Sequence, residues 1–110
     1  MCGRFILLID LSLLVEYFQI GEVSSEYKTG CNICPGEQIS AVIRNKDVNK
    51  LVNFRWGLIP SWAKDPSIGY KMINARAETL TEKPSFKDAF KWRRCLIPAE
   101  GFYEWQNWVR

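Results

Sequence analysis

Gln38-Ile39-Ser40-Ala41-Val42-Ile43-Arg44, then Asn45-Lys46-Asp47, then Lys50-Leu51-Val52-Asn53-Phe54-Arg55-Trp56 is the stretch from which the fold is read. The first run is apolar and β-branched with weak alternation, so Ile39, Val42 and Ile43 are available for burial on a strand. Asn45-Lys46-Asp47 supplies turn chemistry, and the chain resumes as a second strand through Trp56. The two runs are predicted to pair as a hairpin.

Towards the N-terminus, Glu22 to Gly30 reads as a polar loop. Before it, Asp10 or Ser12 can cap a helix through Leu13, Leu14, Glu16, Tyr17 and Phe18. Leu14, Tyr17 and Phe18 share a face at i, i+3 and i+4, and Gly21 is a natural stop. Residues 4 to 9 are apolar enough for a buried strand.

Towards the C-terminus, Gly57 to Tyr70 reads as loop, with Pro60, Pro66 and Gly69 interrupting any regular element. Pro84 opens a predicted helix through Phe86, Phe90 and Lys91. Cys95 to Ile97 and Phe102 to Trp105 read as strands separated by Pro98-Ala99-Glu100-Gly101. The chain ends soon after without a closing element. A last strand there would leave an exposed edge, as expected of the front part of a larger fold.

At 110 residues the chain suits one small domain with its own core. Hydrophobic residues make up 47% and charged residues 25%, a globular balance that excludes disorder. A net charge of +3 permits nucleic acid as a partner without demanding it, since no dense Lys/Arg run accompanies it. No stretch approaches the roughly 18 apolar residues of a membrane span. Only Arg4 precedes the short run Phe5 to Ile9, so no signal peptide is expected. A cytoplasmic location follows, where the four cysteines are expected to be reduced.

Several short stretches carry candidate chemistry. Removal of Met1 would leave Cys2 with an α-amine and a thiol on neighbouring carbons. Unperturbed groups of these kinds titrate at roughly 8 and about 8.5, so an aminothiol is partly deprotonated near neutrality. Such a group captures an aldehyde as an imine through nitrogen, then closes a thiazolidine through sulfur. Cys31-Asn32-Ile33-Cys34 would fit half of a zinc site or a redox pair. The C-x2-C is single, there is no histidine, and Pro35-Gly36 forbids a following helix, so two small buried residues flanking a turn are expected.

Trp62, in the run Arg55 to Asp65, could stack on an unpaired base, or plug the edge of the domain. In Asn74-Ala75-Arg76-Ala77-Glu78, an extended chain would point Asn74, Arg76 and Glu78 to one side, with Arg76 suited to phosphate. Gly101-Phe102-Tyr103-Glu104-Trp105 sets one carboxyl among aromatic rings, a candidate proton shuttle. Each of these has an ordinary structural explanation when taken singly.

In combination and order they do not. Met-Cys-Gly-Arg-Phe, Asn-Ile-x-Pro-Gly, Arg-Trp-Gly-Leu-Ile-Pro-Ser-Trp-Ala, Ile-Asn-Ala-Arg-Ala-Glu-Thr and Arg-Cys-Leu-Ile-Pro-Ala-x-Gly-Phe-Tyr-Glu-Trp resemble the SRAP (SOS response-associated peptidase) family. Members of that family shield abasic sites in single-stranded DNA. The resemblance implies an α+β fold, a curved, mostly antiparallel sheet approaching a barrel with peripheral helices. Residues 1 to 110 would be its N-terminal portion, and the sheet would be incomplete.

The resemblance also implies residue roles. Cys2 would attack the ring-opened aldehyde of the abasic sugar and end as a thiazolidine crosslink. Asn74 would hold the Cys2 amine and the sugar, and Glu104 would transfer protons. Arg4 and Arg76 would bind phosphate, while Pro35, Trp62 and Trp105 would shape the DNA groove and stack on or wedge apart bases. The implied partner is single-stranded DNA with abasic sites, with nucleoid association when bound. No cofactor, metal or membrane is implied. The family's second half carries a His-x-Arg-type motif, and this sequence has no histidine. Gln106 to Arg110 also depart from the family's usual continuation. Since Cys2, Asn74 and Glu104 keep the bond-forming parts, slow crosslinking is the expectation.

Overall fold

The computed structural model describes residues 2–106; Met1 and residues 107–110, and with them the expectations on Met1 removal and on the end of the chain, lie outside the described residues. The predicted hairpin is the backbone of the fold. Strands β4 (Gln38–Asn45) and β5 (Val48–Arg55) pair antiparallel along their whole length, from Gln38↔Arg55 to Asn45↔Val48. Lys46, the first of the two loop residues, takes φ 57, the left-handed conformation that such tight turns require.

The alternation in β4 is weak for a physical reason. Ile39, Ser40, Ala41 and Val42 are all buried, so both faces of the strand are covered. Ile39 joins a core with Phe5, Leu7 and Ile33, while Val42 joins a second core with Leu14, Ile20 and Leu51. Tyr27 packs against both cores, and its hydroxyl donates to the Ile9 carbonyl at 2.8 Å. The buried Ser40 hydroxyl is satisfied, accepting from the Lys28 amide at 2.8 Å.

The remaining strands are β1 (Phe5–Leu7), β2 (Ile20–Val23), β3 (Gly30–Ile33) and β6 (Gly101–Phe102). They build two three-stranded sheets, ordered β3-β1-β6 and β2-β5-β4. Among the described residues only β2 and β5 run parallel. The α+β class and the mostly antiparallel pairing hold, and the strands form no closed barrel among the described residues. An isolated bridge, Val42↔Leu96, ties the outer edge of β4 to the segment leading into β6.

Helix α1 (Leu11–Tyr17) follows Asp10, one of the two predicted caps, but the Asp10 carboxylate accepts from the Ser12 hydroxyl at 3.1 Å and makes no capping bond to the backbone. Its inner face is Leu11, Leu14, Val15 and Phe18; Tyr17, expected there, is 79% exposed. Gln19, with φ 51, turns the chain out of the helix, and Gly21 lies within β2 instead. The segment expected to be a polar loop thus contains the end of β2 and the first residue of β3. Glu22 and Val23 are exposed, so those strands carry too little apolar pattern to be read.

Past β5 the chain is sparsely buried: a 3-10 turn spans Pro66–Tyr70, and α2 is short (Lys87–Trp92). The last strand is shorter than predicted, and Cys95 to Ile97 contributes only the bridge at Leu96. The Cα radius of gyration, 15.4 Å, exceeds the roughly 13 Å of a close-packed domain of this length.

Candidate functional site

Strand β1 places the N-terminal residues between β3 and β6. Phe5 lies opposite Ile33 on one side and Phe102 on the other, so Cys2-Gly3-Arg4 emerges between the ends of its neighbours. The Tyr103 amide donates to the Arg4 carbonyl at 2.9 Å, which extends that register by one step. Gly3, Arg4, Cys31, Asn32, Tyr103, Glu104 and Trp105 line a cleft of about 590 Å³. Glu104 is therefore carried to the N-terminal segment by a strand nearly 100 residues away in sequence. Trp105 is 94% exposed at the rim.

Asn74 arrives by another route. Trp56 packs its ring against Phe5, with centroids 5.5 Å apart, and its indole N–H donates to the Ile73 carbonyl at 2.9 Å. The next residue, Asn74, then donates from Nδ2 to the Cys2 carbonyl at 3.0 Å. A second tie, from the Leu58 amide to the Met72 carbonyl at 3.0 Å, holds the same loop. Trp56 is the anchor that sequence reasoning placed at the end of a strand without assigning it a role. The signal was a large aromatic ring between a strand and a glycine, Arg55-Trp56-Gly57.

The turn at Gly57 is tightly fitted. Its φ is +127, and a Cβ there would fall 2.4 Å from the Gly69 carbonyl oxygen. Only glycine permits that approach.

The other predicted residues are distributed around this centre. The Arg4 Nη1 donates to the Cys34 sulfur at 3.2 Å, and the Cys34 amide donates to Glu37 Oε2 at 2.6 Å. Pro35 sits on the turn directly after Cys34, outside the cleft lining. Cys31 is exposed, unlike the buried residue expected, because its strand position faces the cleft; its carbonyl accepts from the Tyr103 hydroxyl at 2.7 Å. All four cysteines are free thiols. Among the described residues no group of three His, Cys, Asp or Glu side chains could hold a metal ion.

Arg76 is exposed in a separate shallow depression lined by residues 74–79. The run is not a strand: residues 74–76 are irregular and a turn follows over 77–80, with the Thr79 amide donating to the Arg76 carbonyl at 3.2 Å. Trp62 is 60% exposed in its loop and does not line the cleft. The structure thus brings Cys2 and Asn74 into contact, and sets Arg4, Glu104 and Trp105 around one cleft. Cys2, Asn74, Arg76, Trp62 and Pro35 are not part of that cleft's lining, and Asn74 instead lines the depression that holds Arg76.

No helix of the described residues is long and apolar enough to cross a membrane. A crystal structure of a protein from Bordetella bronchiseptica superposes with a TM-score of 0.73 at 26% identity, over 94% of this chain and 50% of that one. The Abasic site processing protein YoqW of Bacillus subtilis is 50% identical over 109 residues, which is 97% of this chain and 49% of that protein. The Abasic site processing protein HMCES of Xenopus tropicalis is 38% identical over 96 residues, 76% of this chain and 29% of that protein. The chain therefore spans about half the length, or less, of these relatives. The family model for SOS response associated peptidase (SRAP) matches residues 1–110, and the chain belongs to that family.

Proposed function

We propose that this protein recognises abasic sites in single-stranded DNA and caps them covalently through Cys2 after Met1 is removed, as part of a response to DNA damage. The free amine of Cys2 attacks the aldehyde carbon of the ring-opened sugar and expels water, giving an imine. The Cys2 sulfur then adds to the imine carbon as its proton passes to nitrogen, closing a thiazolidine. No oxidant or external cofactor is consumed. Asn74 holds the N-terminal residue in place, and Glu104 carries protons to and from the sugar oxygen and the imine. Arg4 binds phosphate beside the lesion and Arg76 a phosphate further out. Trp105 stacks at the rim, and Trp62 and Pro35 shape the path of the strand. The site of action is cytoplasmic DNA, at the nucleoid when bound.

The observation that carries this reading is the 3.0 Å bond from Asn74 to the Cys2 carbonyl, beside a cleft lined by Arg4 and Glu104. It joins an orienting amide to the one residue able to present an aminothiol. Incubation with an oligonucleotide bearing one abasic site tests it by intact mass. The expected product is a stable adduct on protein lacking Met1, absent from Cys2→Ala. An adduct that survives in Cys2→Ala refutes the mechanism. The family description also names peptidase activity, and an N-terminal thiol with its own amine as base is a competent nucleophile. Hydrolysis of a peptide substrate that depends on Cys2, without any DNA adduct, would favour that second reading.

A further inference from the structure

We propose that Arg55 and Tyr70 form a second single-strand subsite beside the cleft, in which Arg55 holds a backbone phosphate and the Tyr70 ring stacks on an adjacent base. The inference rests on the single-strand reading given above and extends it to residues outside the cleft.

The Arg55 guanidinium carbon lies 5.0 Å from the centroid of the Tyr70 ring, and Tyr70 is 60% exposed. Among the described residues the guanidinium makes no hydrogen bond or ion pair. Its Nε is buried without an acceptor, and among the described residues no carboxylate pairs with it. Arg94 makes the contrast: it also lies over a ring, 3.8 Å from Phe90, but its Nε is spent on the Phe90 carbonyl at 2.6 Å. A planar cation stacked on an aromatic ring is pre-organised and loses little freedom on meeting a phosphate. A cation next to an accessible ring is also the general means of holding a single strand without reading its sequence.

The position of the pair links it to the cleft. Tyr70 packs on Gly36, whose φ is +90 and where a Cβ would fall 2.7 Å from the ring. Two residues earlier, Cys34 receives the Arg4 guanidinium at 3.2 Å. The turn Cys34-Pro35-Gly36 therefore has Arg4 at one end and the Tyr70–Arg55 stack at the other. Two residues of chain span at most about 7 Å. A strand held at Arg4 thus crosses Pro35 and reaches Arg55 within its neighbouring nucleotides.

Binding of an undamaged single-stranded oligonucleotide, followed by fluorescence anisotropy across a salt series, tests the subsite apart from any covalent step. Losing one phosphate contact should lower the slope of log K against log salt by about 0.7 in Arg55→Gln. Its affinity at low salt should fall by about tenfold. Arg55→Lys should keep the slope, and Tyr70→Leu should keep the slope but lose affinity by about fivefold or more. With abasic oligonucleotide at saturation, the rate constant for adduct formation should be unchanged in all three. Circular dichroism confirms that each variant is folded; if Arg55→Gln does not fold, the affinity of Tyr70→Leu decides. An unchanged slope and affinity in folded Arg55→Gln, or unchanged affinity in Tyr70→Leu, overturns the subsite. Salt-dependent binding that needs Arg55 but yields no adduct in the unsubstituted protein would overturn the capping reaction and leave the subsite standing.

Discussion

The bond from Asn74 to the Cys2 carbonyl makes a quantitative claim about reactivity. It is half-buried, 3.0 Å long and neutral, and it ties a distant loop to the residue bearing the proposed nucleophile. Asn74→Ala removes the donor and returns the carbonyl to water. A neutral bond of this kind has a net worth of about 1 kcal/mol, so the rate constant for adduct formation should fall about fivefold at saturating DNA. Asn74→Asp is nearly isosteric but sets an acceptor oxygen against the carbonyl. An unsatisfied pair of that kind costs about 2–3 kcal/mol, and the rate constant should fall on the order of 30- to 150-fold. Single-turnover kinetics followed by intact mass separates this from weaker binding. Thermal denaturation of each variant separates it from unfolding. If Asn74→Ala reacts at the unsubstituted rate, or Asn74→Asp reacts faster than Asn74→Ala, the amide does not position Cys2.

Leu51→Ala empties a fully buried position among Leu14, Ile20 and Val42, and should cost about 2–5 kcal/mol in urea denaturation, a large share of the total stability. Gly57→Ala drives a methyl into the Gly69 carbonyl at a φ of +127, and should destabilise the loop carrying Asn74 by at least about 2 kcal/mol. A Gly57→Ala variant with unchanged melting temperature contradicts that packing. Burial first, and then the Glu100 and Asp10 charges, raise the Tyr27 phenol above its usual value of 10.0. A raised folded-state pKa means the contribution is whole below the unfolded pKa and is lost as pH rises through the folded one. Stability should therefore fall above about pH 10, and Tyr27→Phe should flatten that fall while losing about 1 kcal/mol at neutral pH with the bond to the Ile9 carbonyl. Equilibrium denaturation from pH 7 to 11 reads both effects.

Periodicity and turn chemistry in the chain alone were enough for the β4–β5 hairpin, α1 and the buried strand at Phe5. Each depends on neighbours in sequence: apolar runs, a helical spacing of Leu14 and Phe18, an Asn-Lys-Asp turn. The resemblance carried by five short motifs was enough for the family, because residue types in a fixed order survive without any geometry. Strands β2 and β3 were not legible, since Glu22, Val23, Cys31 and Asn32 are exposed and show no alternation. Nor was the double burial of β4, where Ile39 and Val42 serve different cores.

Only the tertiary structure decided which of the candidate residues meet. Asn74 reaches Cys2 because Trp56 spans from Phe5 to the Ile73 carbonyl, and Glu104 reaches the cleft because β6 pairs with β1. Arg76 and Trp62, equally plausible in sequence, stand outside that cleft. Arg55 and Tyr70 gain their meaning only from a stack between residues 15 apart. The physical reason is that hydrophobic pattern and backbone preference act over a few residues, whereas a site is made of contacts across strands, set by packing that no local stretch encodes.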